Sequence, residues 1–189
     1  MLTGNLEYLI SSLPNLTFSY SDTVKLEIRG LFQKYASNEE DSQDLVSILH
    51  DDASKYLSPS EFNRFKTIEL KSIHLPNFRD SSVDVVAKFS KFMHHLKSEL
   101  KDYRINRKSI ESTGKLHYEI LGELPENPLK AEEYLLGLQW QKLETLSLGH
   151  YANFSALTLY KLKLEVLLRW WQFDAEVGFE VFQQSLKVA

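Results

Sequence analysis

The chain has 189 residues, 43% of them hydrophobic and 25% charged, with seven glycines, five prolines, no cysteine and a net charge of −4. That balance belongs to a globular chain and excludes a disordered one, and so few turn-forming residues argue against an all-β fold. Lack of cysteine excludes disulfides and thiolate metal sites and suits a reducing cytosol, while the net charge argues against a nucleic-acid binder.

The elements follow in chain order. A short apolar helix is expected over Asn5–Ser12, stopped at Leu13-Pro14 because the residue before proline avoids the α region. Asp22 is expected to cap a second helix running to about Tyr35, with Val24, Ile28, Leu31 and Phe32 at helical spacing. After a break at Ser37-Asn38, a third helix starts with Glu39, Glu40 and Asp41, whose carboxylates oppose the positive end of its dipole. Ser58-Pro59-Ser60-Glu61 combines a serine cap, a first-turn proline and a glutamate three residues on. The helix it opens is expected to run to about Ile73 and to stop at Leu75-Pro76.

Asp80 to about Ile110 is the longest periodic segment. Val85, Phe89, Phe92, Leu96, Leu100 and Tyr103 form its apolar stripe, and Lys97, Lys101, Arg104 and Lys108 form a separate basic stripe expected on the solvent side. Gly114 and the stretch 122–128 have loop composition. The expected division is an N-terminal helical lobe over 1–122 and a C-terminal helical lobe over 123–189 packed against it, or one domain. Asn127-Pro128 opens a helix to about Ser147, closed by Leu148-Gly149-His150. From Phe154 to Trp171 the chain is apolar nearly all round, except for a narrow strip of Thr158, Lys161, Glu165, Arg169 and Gln172. Such a helix must be contacted from two sides, so it is central. Asp174 is expected to cap a last helix bearing Val177, Val181, Phe182 and Leu186. The predicted fold is all-α, an irregular bundle of about seven helices in one or two lobes.

Charge is polarised along the chain: Ser37–Asp52 holds six acids and no Lys or Arg, whereas Lys88–Lys108 holds seven bases against two acids. The start carries no basic group and too short an apolar run for a secretory signal. No run approaches the roughly 18 apolar residues of a membrane span, so the chain is expected to be soluble.

Motifs for chemistry are missing. There is no glycine-rich phosphate loop, no His-Glu-x-x-His or Glu-x-x-His, and no serine set between glycines. His94 and His95 are adjacent, about 100° apart on a helix, and cannot grip one ion together; one is expected half-buried and the other solvated. His50-Asp51-Asp52 offers ligands for a hard cation but reads as acidic surface at a helix end. Trp140, Trp170 and Trp171 read as core packing rather than as a stacking platform. His117, Tyr118 and Glu119 lie near the lobe boundary, where an enzyme or ligand binder would place a pocket, yet nothing gives them mutual geometry. No catalytic residue, cofactor or metal site is assigned. The candidate partner-docking residues are Lys97, Lys101, Arg104 and Lys108 on one side, and Glu39, Glu40 and Asp41 on the other.

Two stretches carry a resemblance: the start, from Asn5 through Tyr8, Pro14 and Leu16 to Phe18, and the end. The latter comprises Leu138–Leu143, Gly149–Tyr151, Leu162–Leu164 and Leu168–Asp174 with Glu176, Gly178 and Phe182. The Arg-Trp-x-x-Phe-Asp-x-Glu-x-Gly pattern beginning at Arg169 is the most specific part. Together they resemble a family of uncharacterised bacterial proteins found with V-type ATPase subunits, itself similar to a shortened form of the V-type ATPase d subunit. The resemblance covers about a third of the chain. It implies an all-helical, non-catalytic socket between the central stalk and the membrane rotor ring of a rotary ATPase. Stalk and ring subunits would then be the partners, and the location cytoplasmic, peripheral to the inner membrane, with no nucleic acid and no membrane insertion. The full-length d subunit has three similar domains, whereas this chain shows no internal repeat, and no family binding residue is carried over. A free-standing helical adaptor for an unrelated partner, or an enzyme with an inter-lobe pocket, are the alternative readings.

Overall fold

The computed structural model describes residues 6–33, 45–108 and 118–173. Among them every regular element is a helix: α1 (Leu6–Ser12), α2 (Asp22–Gln33), α3 (Leu45–Ser54), α4 (Pro59–Thr67), α5 (Pro76–Arg79), α6 (Asp84–Lys108), α7 (Pro128–Ser147) and α8 (Phe154–Trp171). The fold is all-α. No described helix is long and apolar enough to cross a membrane. The start of the third predicted helix, with Glu39, Glu40 and Asp41, lies outside the described residues, as do His117 and the predicted last helix from Asp174.

Local signals set the starts of α4, α7 and α8. Ser58 and Glu61 form a full capping box, the Ser58 N–H donating to Glu61 Oε2 at 3.0 Å and the Glu61 N–H to Ser58 Oγ at 3.4 Å. Asn127 Oδ1 accepts from Leu129 and Lys130 at the start of α7, and Asn153 Oδ1 accepts from Ala156 at the start of α8. Gly149, just past α7, has φ +84°, a left-handed conformation that glycine adopts without penalty.

Three boundaries differ from expectation. Asp22 is the first residue of α2 rather than its cap. The long helix starts at Asp84, four residues later than expected, after Val83 N–H bonds Ser81 Oγ at 3.2 Å. The helix opened by Ser58 ends at Thr67 instead of near Ile73, residues 68–75 form turns, and Pro76 opens the short α5 where a stop was expected. The reason is tertiary. The Lys161 ammonium of α8 donates to the carbonyls of Phe65 (2.9 Å) and Lys66 (3.3 Å), and the Leu70 N–H donates to the Glu165 carboxylate. These bonds take the place of the next intrahelical ones.

Helix α8 is central, with Leu157, Leu162, Leu164, Val166 and Leu167 at most 1% exposed. Its polar strip is largely internal, since Thr158 and Lys161 are fully buried and only Arg169 and Gln172 are exposed. The main core joins Leu9, Phe32, Leu49, Phe65 and Phe89 to Leu136, Trp140, Leu143 and Leu162, so residues on both sides of position 122 share it. A smaller cluster of Leu96, Leu121 and Leu135 fills one end of the α6–α7 seam. The N-terminal segment is clamped on α8: Phe18 stacks on Trp170 (centroids 4.1 Å apart) and tilts against Trp140 (5.5 Å). Tyr160 and Trp171 donate to the carbonyls of Pro14 and Ser19 at 2.8 and 3.0 Å. All three tryptophans are 8% exposed, so they are core residues.

Candidate functional site: a cationic groove between helices

Along α6 the apolar stripe and the basic stripe lie side by side. Past Met93 the apolar stripe meets α7 through Leu96, Leu100 and Leu135, and the neighbouring Lys97, Lys101 and Arg104 stand exposed along the edge of that contact. The last turn of α8 adds Arg169 and the 68–75 turn adds Leu70 and Lys71. The result is a groove of about 630 Å³ with Met93, Leu96, Leu100 and Leu135 among its apolar residues. Five cationic side chains from three segments line it, against a single carboxylate, Glu132.

Glu132 does not neutralise the set, because Arg169 already bonds it at 2.5 Å. Among the described residues none of Lys71, Lys97, Lys101 and Arg104 has a carboxylate within 4 Å. Lys97 Nζ lies 2.9 Å from His74 Nδ1. Burial, then the Arg169 charge, push the Lys97 pKa down; burial, then Lys97, lower that of His74. A neutral His74 therefore accepts from the Lys97 ammonium and holds it in place. A second trough of about 620 Å³ shares Leu100, Arg104, Glu132 and Leu135 with the first and continues past Arg107 to Pro125 and Pro128.

No protein-family model matches the chain, and neither does any curated protein or solved structure.

Of the residues singled out in the sequence, Lys97, Lys101 and Arg104 are brought together at this groove, while Lys108 is the last residue of α6. Sequence reasoning missed Lys71, which only the turn after α4 delivers, and placed Arg169 in a strip without seeing that it is the strip's exposed end. Tyr118 and Glu119 make contacts with α6. The Glu119, Ile120 and Leu121 N–H groups all donate to the Glu99 carboxylate (2.9, 3.0 and 2.8 Å), and the Tyr118 hydroxyl accepts from Asn106 at 3.3 Å. His94 and His95 are both exposed, contrary to expectation, because α6 buries Met93 and Leu96 on either side of them. His50 presents its ring edge to Phe65 at 5.5 Å while Asp52 bonds Lys55 at 2.8 Å, so the two serve different neighbours.

Ionisable groups also gather in a cavity of about 370 Å³ lined by His50, Glu69, Lys161 and Glu165, and in a recess lined by Arg79, Asp80, Lys91, His94 and His95. Burial pushes the Lys161 pKa down, while Glu165 and Glu69 push it up. A lysine nucleophile needs a free amine. Here the ammonium is held by two carbonyls, with Glu165 3.8 Å away, so the group serves to fix α4 on α8.

Proposed function

We propose that this chain is a non-catalytic docking protein that acts through its surface, and that it couples the central stalk of a V-type ATPase to the membrane rotor ring. The observation that carries the docking role is the groove: five cations from separate segments converge over an apolar floor, with one carboxylate that Arg169 already occupies. Charge of one sign at a surface steers a partner of the other sign and sets its register. The rotary ATPase assignment is supported by the two stretches that resemble the d-subunit relatives. Their described residues pack on one another, Phe18 against Trp140 and Trp170, and Ser19, just beyond, receives the Trp171 hydrogen bond.

The test is purification of the full chain from gently lysed native cells at low salt, with its companions identified. Stalk or ring subunits of a rotary ATPase are expected, and they should be lost as salt rises to about 0.5 M. Recovery only as a free monomer, or only with partners unrelated to a rotary ATPase, overturns the assignment; the latter outcome describes a free-standing adaptor.

A further inference from the structure

We infer that the groove along the α6–α7 seam receives an acidic amphipathic helix from another protein, its apolar face on Leu96, Leu100 and Leu135 and its carboxylates against Lys97, Lys101 and Arg104. The inference rests on the docking role above and gives its partner a chemistry.

Length is the first support. The two adjoining troughs are lined by α6 from Met93 to Arg107, fourteen steps at a rise of about 1.5 Å, or about 21 Å, which matches about four helical turns. Composition is the second. Helix-in-groove recognition needs apolar anchors spaced three and four apart, with charge at the rim. Here the floor is leucine and methionine, the rim is Lys and Arg, and Ile105 is 53% exposed beside them. A nucleic acid would bring no apolar face to such a floor; no aromatic ring lines the main groove for base stacking, and Tyr103 in the adjoining trough is half-buried and packs edge-on with Tyr118 at 6.0 Å. A second copy of this chain is a poor occupant as well. The described acidic helix, α3, already buries Leu45, Ile48 and Leu49 in its own core. A small amphiphile would be enclosed on most sides, whereas this rim stands open.

The probe is a fluorescein-labelled synthetic peptide of about fourteen residues, leucines on one helical face and glutamates on the other. It is titrated with the full chain by anisotropy at about 50 mM salt. Saturable binding is expected. It should weaken at least about tenfold in K101E/R104E, whose wild-type side chains are both exposed, and less than about twofold in K91E, which reverses a charge lining a different recess of the same helix. A scrambled peptide of equal charge should bind at least about fivefold more weakly, because only the ordered one presents an apolar face. Circular dichroism checks that the variants fold, and K101E alone serves if the double variant does not.

Three results overturn the inference: no saturable binding by the unaltered chain, an equal loss in K91E, or tighter, groove-dependent binding to a single-stranded oligonucleotide or to phosphatidylglycerol vesicles. If the peptide fails while stalk and ring subunits still co-purify, the groove assignment falls and the coupling role stands. If the peptide binds and no such subunits are recovered, the reverse holds.

Discussion

Lys161 is fully buried, and its ammonium donates to the carbonyls of Phe65 and Lys66 with Glu165 one helical turn away. Lysine is rarely found so deep unless its donors are satisfied. Replacing it by methionine keeps the length of the side chain but strips both carbonyls of their partner. Lys161→Met is expected to cost about 2 kcal/mol and to lower the melting temperature by about 5 °C, read by thermal and denaturant unfolding. The sign with pH is also set. Burial depresses the ammonium's pKa below 10.5, so the unfolded chain binds more protons between the folded pKa and 10.5, and this group adds to stability as pH rises through that window. The sequence placed Lys161 on a polar strip of an apolar helix, and that much was legible. What the strip faced was not, because the carbonyls it serves belong to residues about 95 positions earlier.

Helix α4 shows how a start and a stop can have different origins. Its start is local: the side-chain hydrogen bond from Ser58, then its backbone bond, holds the Glu61 carboxyl below its ordinary value of 4.5. That stabilisation is present above 4.5 and is lost as pH falls through the folded pKa. Ser58→Ala should therefore cost about 1 kcal/mol at neutral pH and flatten the acid limb of stability, measured by urea unfolding between about pH 3 and 7. Its stop is imposed by α8. The same contrast holds for α6, whose stripes were readable from spacing. That its basic stripe would border a groove instead of open solvent depended on α7, α8 and the 68–75 turn arriving beside it. Glu99 is a further case. Its carboxylate gathers the three N–H groups of residues 119–121, a bond no periodicity announces.

At the scale of the molecule, one main core joins residues from 1–122 with residues from 123–189, and the N-terminal segment reaches it through Phe18. Phe18→Ala removes a ring stacked on Trp170 and leaves the tryptophans around it underpacked, at an expected cost of about 2 kcal/mol for a half-buried ring. Because the core is shared, tryptophan fluorescence and far-ultraviolet circular dichroism should shift together and remain one transition. Two separated transitions would instead mark independent lobes. The groove lies where the smaller cluster of Leu96, Leu121 and Leu135 is filled on one side by residues 118–124 and left open on the other.

By itself the sequence determined the all-helical class, the cap at Ser58, the helix start at Asn127-Pro128, the buried stripes and the burial of the tryptophans. Each of these depends on residues a turn or two apart, or on composition. Only the tertiary structure decided where α4 ends, that Lys161 turns inward, and that Lys71 and Arg169 join Lys97, Lys101 and Arg104 around one groove. Those outcomes join groups far apart in the chain, and such pairings are set by how helices pack, which local spacing does not encode.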